Sequence, residues 1–249
     1  MVDINSYLRR INYNGPLEPT INTLHALHYA HMLSVPFENL DIPLGRRIVL
    51  DEVSLFEKIV NRKRGGFCYE LNGLFAALLL ELGFNVQRLS ARVANANGGF
   101  GPEFDHMTLL VQLEERWLAD VGFGDSFRQP LRLDARGNQA QGGDLYRITS
   151  EGNNMVYQRM KDGVWHPQYV FRLQPYALAD FIDGCNYAQT SPESSFTRRR
   201  VCSRATPQGR ITLSDRKLVI TSNGTREEHE LNKEADVEAV LYKEFGIKL

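Results

Sequence analysis

The chain reads as an α+β protein built in three successive parts, and three observations lead there. Up to about residue 85 the apolar residues recur at helical spacing. Past Gly83 the period changes from 3.6 toward 2, and short runs of strand composition alternate with Gly, Asn, Asp and Pro clusters. After about residue 187 a polar SPESS stretch leads into further short strands and a closing helix. The divisions expected are 1–85 for a helical bundle, 86–187 for an antiparallel β region and 188–249 for an α/β tail. With 249 residues and 43% hydrophobic content the chain can bury a real core.

Thr20 can cap TINTLHALHYAHML, in which Leu24, Leu27, Ala30 and Leu33 follow a helical period until Pro36 stops the run. Asp51 can cap EVSLFEKIVNR, with Val53, Leu55, Phe56 and Ile59 along one stripe. From Cys68 onward, Leu71, Leu74, Phe75, Leu78, Leu79 and Leu82 keep to i, i+3, i+4, i+7, and Gly83 is a natural stop. Cys68 thereby falls on the buried stripe, in the first turn. The runs NVQRLSARV, HMTLLVQL, RWLADVGF, YRITS and MVYQRM read as strands, with loops at NGGFGPE and GFGDSFRQP. In the tail, strands are expected around FTRRRVCS, RITLSD and KLVITSN, and a helix near KEADVEAVLYKEF. Glu234, Asp236 and Glu238 early in that helix and Lys243 late in it suit the helix dipole.

Lysine and arginine (29) nearly balance aspartate and glutamate (30), so charge points to no nucleic acid, anionic membrane or acidic partner. The N-terminal MVDINSYLRRINYNG lacks the apolar centre of a secretory signal, and no run of about 18 apolar residues occurs. A cytoplasmic enzyme is the expectation. Cys68, Cys185 and Cys202 are odd in number and irregularly spaced, which suits free thiols better than disulfides or a zinc site.

A cysteine at a helix N-terminus meets unpaired N–H groups and the positive end of the dipole, which favour thiolate. Gly65 and Gly66 let the backbone turn tightly ahead of it, so that sulfur and amide donors can face one point. Against this, free cysteine is among the most buried residue types and often only fills space. A nucleophile needs a base and the base an orienting group. His106 begins one strand and Asp120 ends the next, in the order Cys, His, Asp. Hairpin parity decides whether His106 and Asp120 share a face. A three-residue loop of Leu113, Glu114 and Glu115 sets Asp120 opposite Thr108 and diagonal to His106, whereas a two-residue loop points them apart. Singly, His106 reads as a core histidine and Asp120 as a turn carboxylate. Together with Cys68 these readings weaken, because an aspartate ending an apolar strand needs a partner.

His25, His28 and His31 repeat along one helix but spread around it with no carboxylate at ligand spacing, so metal binding is not expected. GGFG at 98–101 and GFG at 122–124 lack the strand, helix and later acid of a dinucleotide site. Arg198, Arg199 and Arg200 form a basic run that usually marks a solvated face but can meet a phosphate-bearing cofactor.

RGGFCYELNGLF at 64–75, PFENLDI at 36–42, HMTLLV at 106–111, DVGFG at 120–124 and SFTRRRVCSRATPQGRITLSD at 195–215, in this order, resemble the arylamine N-acetyltransferases. The likeness runs from about residue 20 to the C-terminus. It implies an N-terminal helical bundle, a central antiparallel β-barrel and a C-terminal α/β lid around a cysteine-protease-like core. It further implies that Cys68 takes an acetyl group from acetyl-CoA, that His106 pairs with it as imidazolium, and that Asp120 orients His106. An arylamine or hydrazine then attacks the acetyl-cysteine in a ping-pong route without a metal. The resemblance makes Glu38 and Arg64 a supporting ion pair and gives Asn72 and Gly124 a role in holding the aspartate. Phe37, Val93, Phe123 and Phe196 are expected around the acceptor, and Thr108, Gly124 and Ser203 near coenzyme A. On this reading the sulfur is already negative near neutral pH.

The rivals are a papain-like or transglutaminase-like enzyme with the same Cys, His, Asp order, an amide synthase on the same scaffold, and a binding module in which Cys68 is inert. An inert site has no need of an acid and a histidine supplied by two other motifs.

Overall fold

The computed structural model describes residues 2–249. Four helices come first: α1 (Ile4–Arg10), α2 (Ile21–Ser34), α3 (Glu52–Phe56) and α4 (Cys68–Glu81), with a two-residue strand β1 (Phe37–Glu38) between α2 and α3. Thr20 caps α2 by accepting the Thr23 N–H at 3.3 Å, and Asp51 caps α3 by accepting that of Ser54 at 2.8 Å. The EVSLFEKIVNR segment is not a uniform α-helix, because it widens into a π-turn over Glu57–Asn61. The stripe expected from α-periodicity therefore breaks: Leu55, Ile59 and Val60 are buried and Val53 is 80% exposed. The widened turn also brings Lys58 inside, where carboxylates meet it. Helix α4 is buried from Cys68 through Leu79 and ends at Gly83, whose φ is +86°. It is the axis of the main core, packed by Leu24, Leu27, Leu55 and Ile59 from the helical side and by Leu109 and Val111 from the sheet.

The sheet that follows contains β2 (Asn85–Val93), β3 (His106–Gln112), β4 (Arg116–Ala119), β5 (Leu131–Arg132), β6 (Gln139–Gln141), β7 (Asp144–Glu151), β8 (Asn154–Lys161) and β9 (Val164–Tyr176). These eight antiparallel strands run in the order β5-β4-β3-β2-β9-β8-β7-β6. They curl into a nearly closed barrel. Glutamine side chains bridge the seam: Gln139 exchanges hydrogen bonds with the Arg132 backbone at 2.8 and 3.0 Å, and Gln141 accepts from Arg128 and Gln129 N–H at 3.0 Å. The longest strand, β9, is not evident in the sequence because Pro167 and Pro175 interrupt it. In the barrel Pro167 pairs with Gln158 and Pro175 with Leu89, each beside a register shift that absorbs the lost donor.

Beyond the barrel lie α5 (Ile182–Thr190), α6 (Ser195–Arg198), β10 (Val201–Thr206), β11 (Gly209–Ser214), β12 (Lys217–Ser222), β13 (Thr225–Glu230) and α7 (Glu234–Phe245). The expected strand over FTRRRVCS begins only at Val201; its first half is a helical turn started by Ser194, whose hydroxyl accepts the Phe196 N–H at 3.2 Å. The second sheet has the order β1-β10-β11-β12-β13, so residues 37–38 of the helical part join the C-terminal strands. Helix α7 covers this sheet through Val237, Leu241 and Phe245 against Leu40, Cys202, Leu213 and Leu218. No helix among the described residues is long and apolar enough to cross a membrane.

Candidate active site

The N-terminus of α4 is held by its flanking sequence. A side chain at position 65 would place its Cβ 1.9 Å from the Pro36 carbonyl oxygen, so glycine there lets the chain run beside β1. Glu38 N–H then donates to Gly66 O at 2.8 Å, and the Phe67 N–H, just ahead of Cys68, donates to Glu70 Oε2 at 3.1 Å. Behind this turn lies a buried charge cluster. Arg64 makes two hydrogen bonds to Glu38 at 3.1 Å, and its Nη1 lies 3.1 Å from Asp41. Lys58 Nζ lies 2.8 Å from Glu70 and 2.9 Å from Asp41. Three carboxylates thus share two cations out of water. Burial pushes the Glu70 carboxyl up to about 7 against the pull of Lys58.

His106 Nε2 lies 2.7 Å from Asp120 Oδ2, with both side chains buried. The parity argument explains this: Gln112 pairs with Arg116 and Leu109 with Ala119, so the loop is the three residues 113–115 and Asp120 follows on the His106 face. Asp120 Oδ2 also accepts the Tyr169 hydroxyl at 3.0 Å, while Oδ1 accepts Asn72 Nδ2 at 2.9 Å and the Gly122 N–H at 3.0 Å. Burial works against this carboxylate, but the facing His106 and the donors around it outweigh it and hold the carboxyl below its ordinary range. Asn72 completes its bonding with Met107 O at 2.7 Å and the Val121 N–H at 2.9 Å. The glycine that holds the aspartate is Gly122 rather than Gly124; a Cβ there would lie 2.7 Å from Cys68 Cα, so the DVG turn can rest on the cysteine backbone only as glycine. Tyr169 escaped sequence reasoning because it lies on the strand that the prolines concealed.

A second buried layer fixes the strand end. His28 Nε2 accepts the Asp120 N–H at 3.1 Å, which makes Nδ1 the protonated nitrogen that donates to Arg128 O at 2.8 Å. Burial lowers this imidazole to about 4 and keeps it neutral. His31 bonds Tyr7 at 2.9 Å and His25 stands edge-on to Trp117, so the three histidines diverge into separate packing roles. No cluster of metal-ligating side chains occurs among the described residues.

Cys68, Cys185 and Cys202 are free and buried. Burial pushes the Cys68 thiol well above its ordinary value; the Met107 N–H pulls it down, while Asp120 and Asp105 add to the rise. The helix N-terminus by itself does not ionise this sulfur. Dehydration and two nearby carboxylates outweigh the amide dipoles, so the ionised state depends on a cation beside it, and His106 faces the same cleft.

That cleft, of about 410 Å³, is lined by Cys68, His106, Asp105 and Arg199 and by all four residues expected around an acceptor: Phe37, Val93, Phe123 and Phe196. Phe123 stands edge-on to His106, with ring centres 5.0 Å apart. Asn39, fully buried, donates to the carbonyls of Phe196 at 2.9 Å and Arg199 at 2.7 Å and accepts the Val201 N–H at 2.7 Å, stapling this wall to PFENLDI. Of the residues expected near the cofactor, Thr108 is enclosed in the barrel between Ala119 O and the Tyr169 hydroxyl, and Ser203 bonds Thr212 and Arg210. Neither of their side chains lines the cleft. Gly124, at φ +82°, packs beside the Phe37 ring.

The family model for N-acetyltransferases matches residues 20–249. The arylamine N-acetyltransferase of Escherichia coli (strain K12) is 38% identical over 98% of this chain and 88% of its own length. That of Mycolicibacterium smegmatis is 37% identical over 100% of this chain and 93% of its own. The chain belongs to the arylamine N-acetyltransferase family. Among solved arylamine N-acetyltransferases, that of Salmonella typhimurium superposes with a TM-score of 0.94 at 34% identity, covering 98% of this chain and 90% of its own. The Mycobacterium marinum arylamine N-acetyltransferase in complex with CoA superposes with a TM-score of 0.92 at 34% identity, covering 98% of this chain and 93% of its own. Membership in the arylamine N-acetyltransferase family makes the chain an acyltransferase rather than an inert binding module.

Proposed function

We propose that the protein transfers an acetyl group from acetyl-CoA to arylamines or hydrazines through an acetyl-Cys68 intermediate. The observation that carries the reading is the 2.7 Å contact of His106 Nε2 with Asp120 Oδ2, in a cleft that also contains Cys68. Asp120, held by Tyr169, Asn72 and the Gly122 N–H, fixes the imidazole and stabilises its positive form, leaving Nδ1 to exchange protons with the sulfur. Cys68 yields its proton to His106, and the sulfur attacks the acetyl carbonyl. The thioester bond to coenzyme A breaks, and the departing sulfur takes the proton from His106. The acceptor nitrogen then attacks the acetyl-cysteine, loses a proton to His106, and leaves as the amide while that proton returns to Cys68. Phe37, Val93, Phe123 and Phe196 supply an apolar seat for an aromatic ring beside the reacting sulfur. The relatives' names and the CoA complex of the M. marinum structure support the choice of acceptor and donor. Three unpaired thiols suit a reducing compartment, so we place the reaction in the cytoplasm.

Intact-mass analysis after mixing with acetyl-CoA tests the reading. The expected result is a single acetyl adduct on Cys68 that disappears on addition of an arylamine and is absent from Cys68→Ala. No adduct, or an adduct retained by Cys68→Ala, rules the mechanism out.

A further inference from the structure

The three consecutive arginines at 198–200 have different fates. Arg200 grips Glu234 through both terminal nitrogens of its guanidinium. Arg198 donates to Glu193 O at 2.9 Å and to Ser194 O at 3.3 Å. Arg199 makes no side-chain hydrogen bond or ion pair with any described residue, and it is the one arginine or lysine lining the cleft that contains Cys68 and His106. Its backbone is fixed by Asn39, which donates to Arg199 O at 2.7 Å, so an unpaired cation stands on a rigid base. The side chain is exposed, whereas Val93, Phe123 and Phe196 deeper in the cleft are half-buried.

We propose that Arg199 is the donor-specificity residue of this enzyme and binds the phosphate groups of the acyl donor. This rests on the acetyl-CoA reading above. A cleft of about 410 Å³ takes an acetyl-pantetheine arm, and the phosphates then fall at its rim, where Arg199 stands. A guanidinium matches phosphate oxygens in a two-pronged geometry, and its attraction counts most where no protein carboxylate already satisfies it. Asp105, the carboxylate in the lining, forms no ion pair with Arg199. The net formal charge of the chain is −1, so the molecule as a whole does not draw in a polyanion and a local cation has to. Thr108 and Ser203, the hydroxyls expected near the cofactor, are turned inward, which leaves recognition of the phosphates to the rim.

The test compares a charged and an uncharged acyl donor. In Arg199→Ala, KM for acetyl-CoA should rise about five- to tenfold with kcat within about twofold, and Arg199→Lys should recover part of the loss. With p-nitrophenyl acetate, which has no phosphate, kcat/KM should stay within about twofold, and the salt dependence of kcat/KM for acetyl-CoA should flatten in the alanine variant. An unchanged KM for acetyl-CoA overturns the proposal, as does an equal loss with both donors. A raised KM for 4-aminobenzoate but not for acetyl-CoA also overturns it and assigns Arg199 to an acceptor carboxylate. Calorimetric binding of coenzyme A itself to the wild type and Arg199→Ala reads the same contact without chemistry. Wild-type protein that binds coenzyme A through Arg199 but forms no acetyl-Cys68 would refute the function while leaving this inference standing.

Discussion

Tyr169 donates its hydroxyl to Asp120 Oδ2 at 3.0 Å, the same oxygen that meets His106 Nε2. The phenol comes from β9, paired through Val93 to β2 on the far side of β3. It adds a fourth donor to a carboxylate that has no access to water. A carboxylate buried this deeply stays ionised only where such donors surround it.

Tyr169→Phe removes that donor and little volume. Acetylation of Cys68 should slow about tenfold and stability should fall by about 1 kcal/mol. Single-turnover acetylation and urea unfolding measure the two effects, and an unchanged rate would separate Tyr169 from the catalytic group.

The pH dependence of alkylation should expose the source of Cys68 ionisation. In the wild type, iodoacetamide labelling should show an apparent pKa below the value of about 8.5 for free cysteine, because His106 provides the cation. In His106→Gln the inflection should move above about 8.5, since burial and two carboxylates then act unopposed. Cys185, which burial pushes up to about 12, should label slowly in both proteins. Coincident profiles for wild type and variant would remove the histidine from the mechanism.

Stability should respond to His28 in a defined window. Its folded value is lowered from 6.5 to about 4, so the unfolded chain binds the extra proton. The contribution is complete above about 6.5 and is lost as pH falls toward 4, by roughly 3 kcal/mol over the interval. Glu70 acts with the opposite sign: raised from 4.5 to about 7, it favours the folded state at low pH and loses that contribution as pH rises through the interval. Glu70→Gln should therefore steepen the fall in melting temperature between pH 6.5 and 4.5. An unaltered slope would contradict the assignment.

Gly122→Ala should disable the site from the backbone. The added Cβ would approach Cys68 Cα and Asn72 Nδ2 at 2.7 Å, so either the DVG turn or the start of α4 must shift. A stability loss of about 1–3 kcal/mol and a larger loss of acetylation rate are expected. Gly137→Ala, at a position with open space around it, is the control and should show neither.

The local rules carried far where neighbours in sequence are neighbours in space. Thr20 and Asp51 cap the helices assigned to them, α4 starts at Cys68, and β2 spans the run read as a strand. They failed where a longer-range packing choice overrode a local period. The π-turn exposes Val53 and buries Lys58 because three carboxylates await that ammonium, and the prolines of β9 pair beside bulges that only its neighbours define.

What the amino-acid order determined by itself was the periodicity of the elements, the cysteine at a helix start, and a hairpin for which an odd loop is the one that puts His106 and Asp120 on one face; the register of Gln112 with Arg116 in the structure selects it. Such features depend on residues a few positions apart, and steric geometry transmits over that range unaided. Only the tertiary structure decided that Asp120 is also met by Tyr169 and Asn72 and its N–H by His28, that Asn39 staples the Arg199 wall, and that Thr108 turns away from the cleft. Those partners lie on other strands and helices, and no local preference specifies them. Each buried polar group takes whichever donor or acceptor the closing of the barrel against the helices brings within reach.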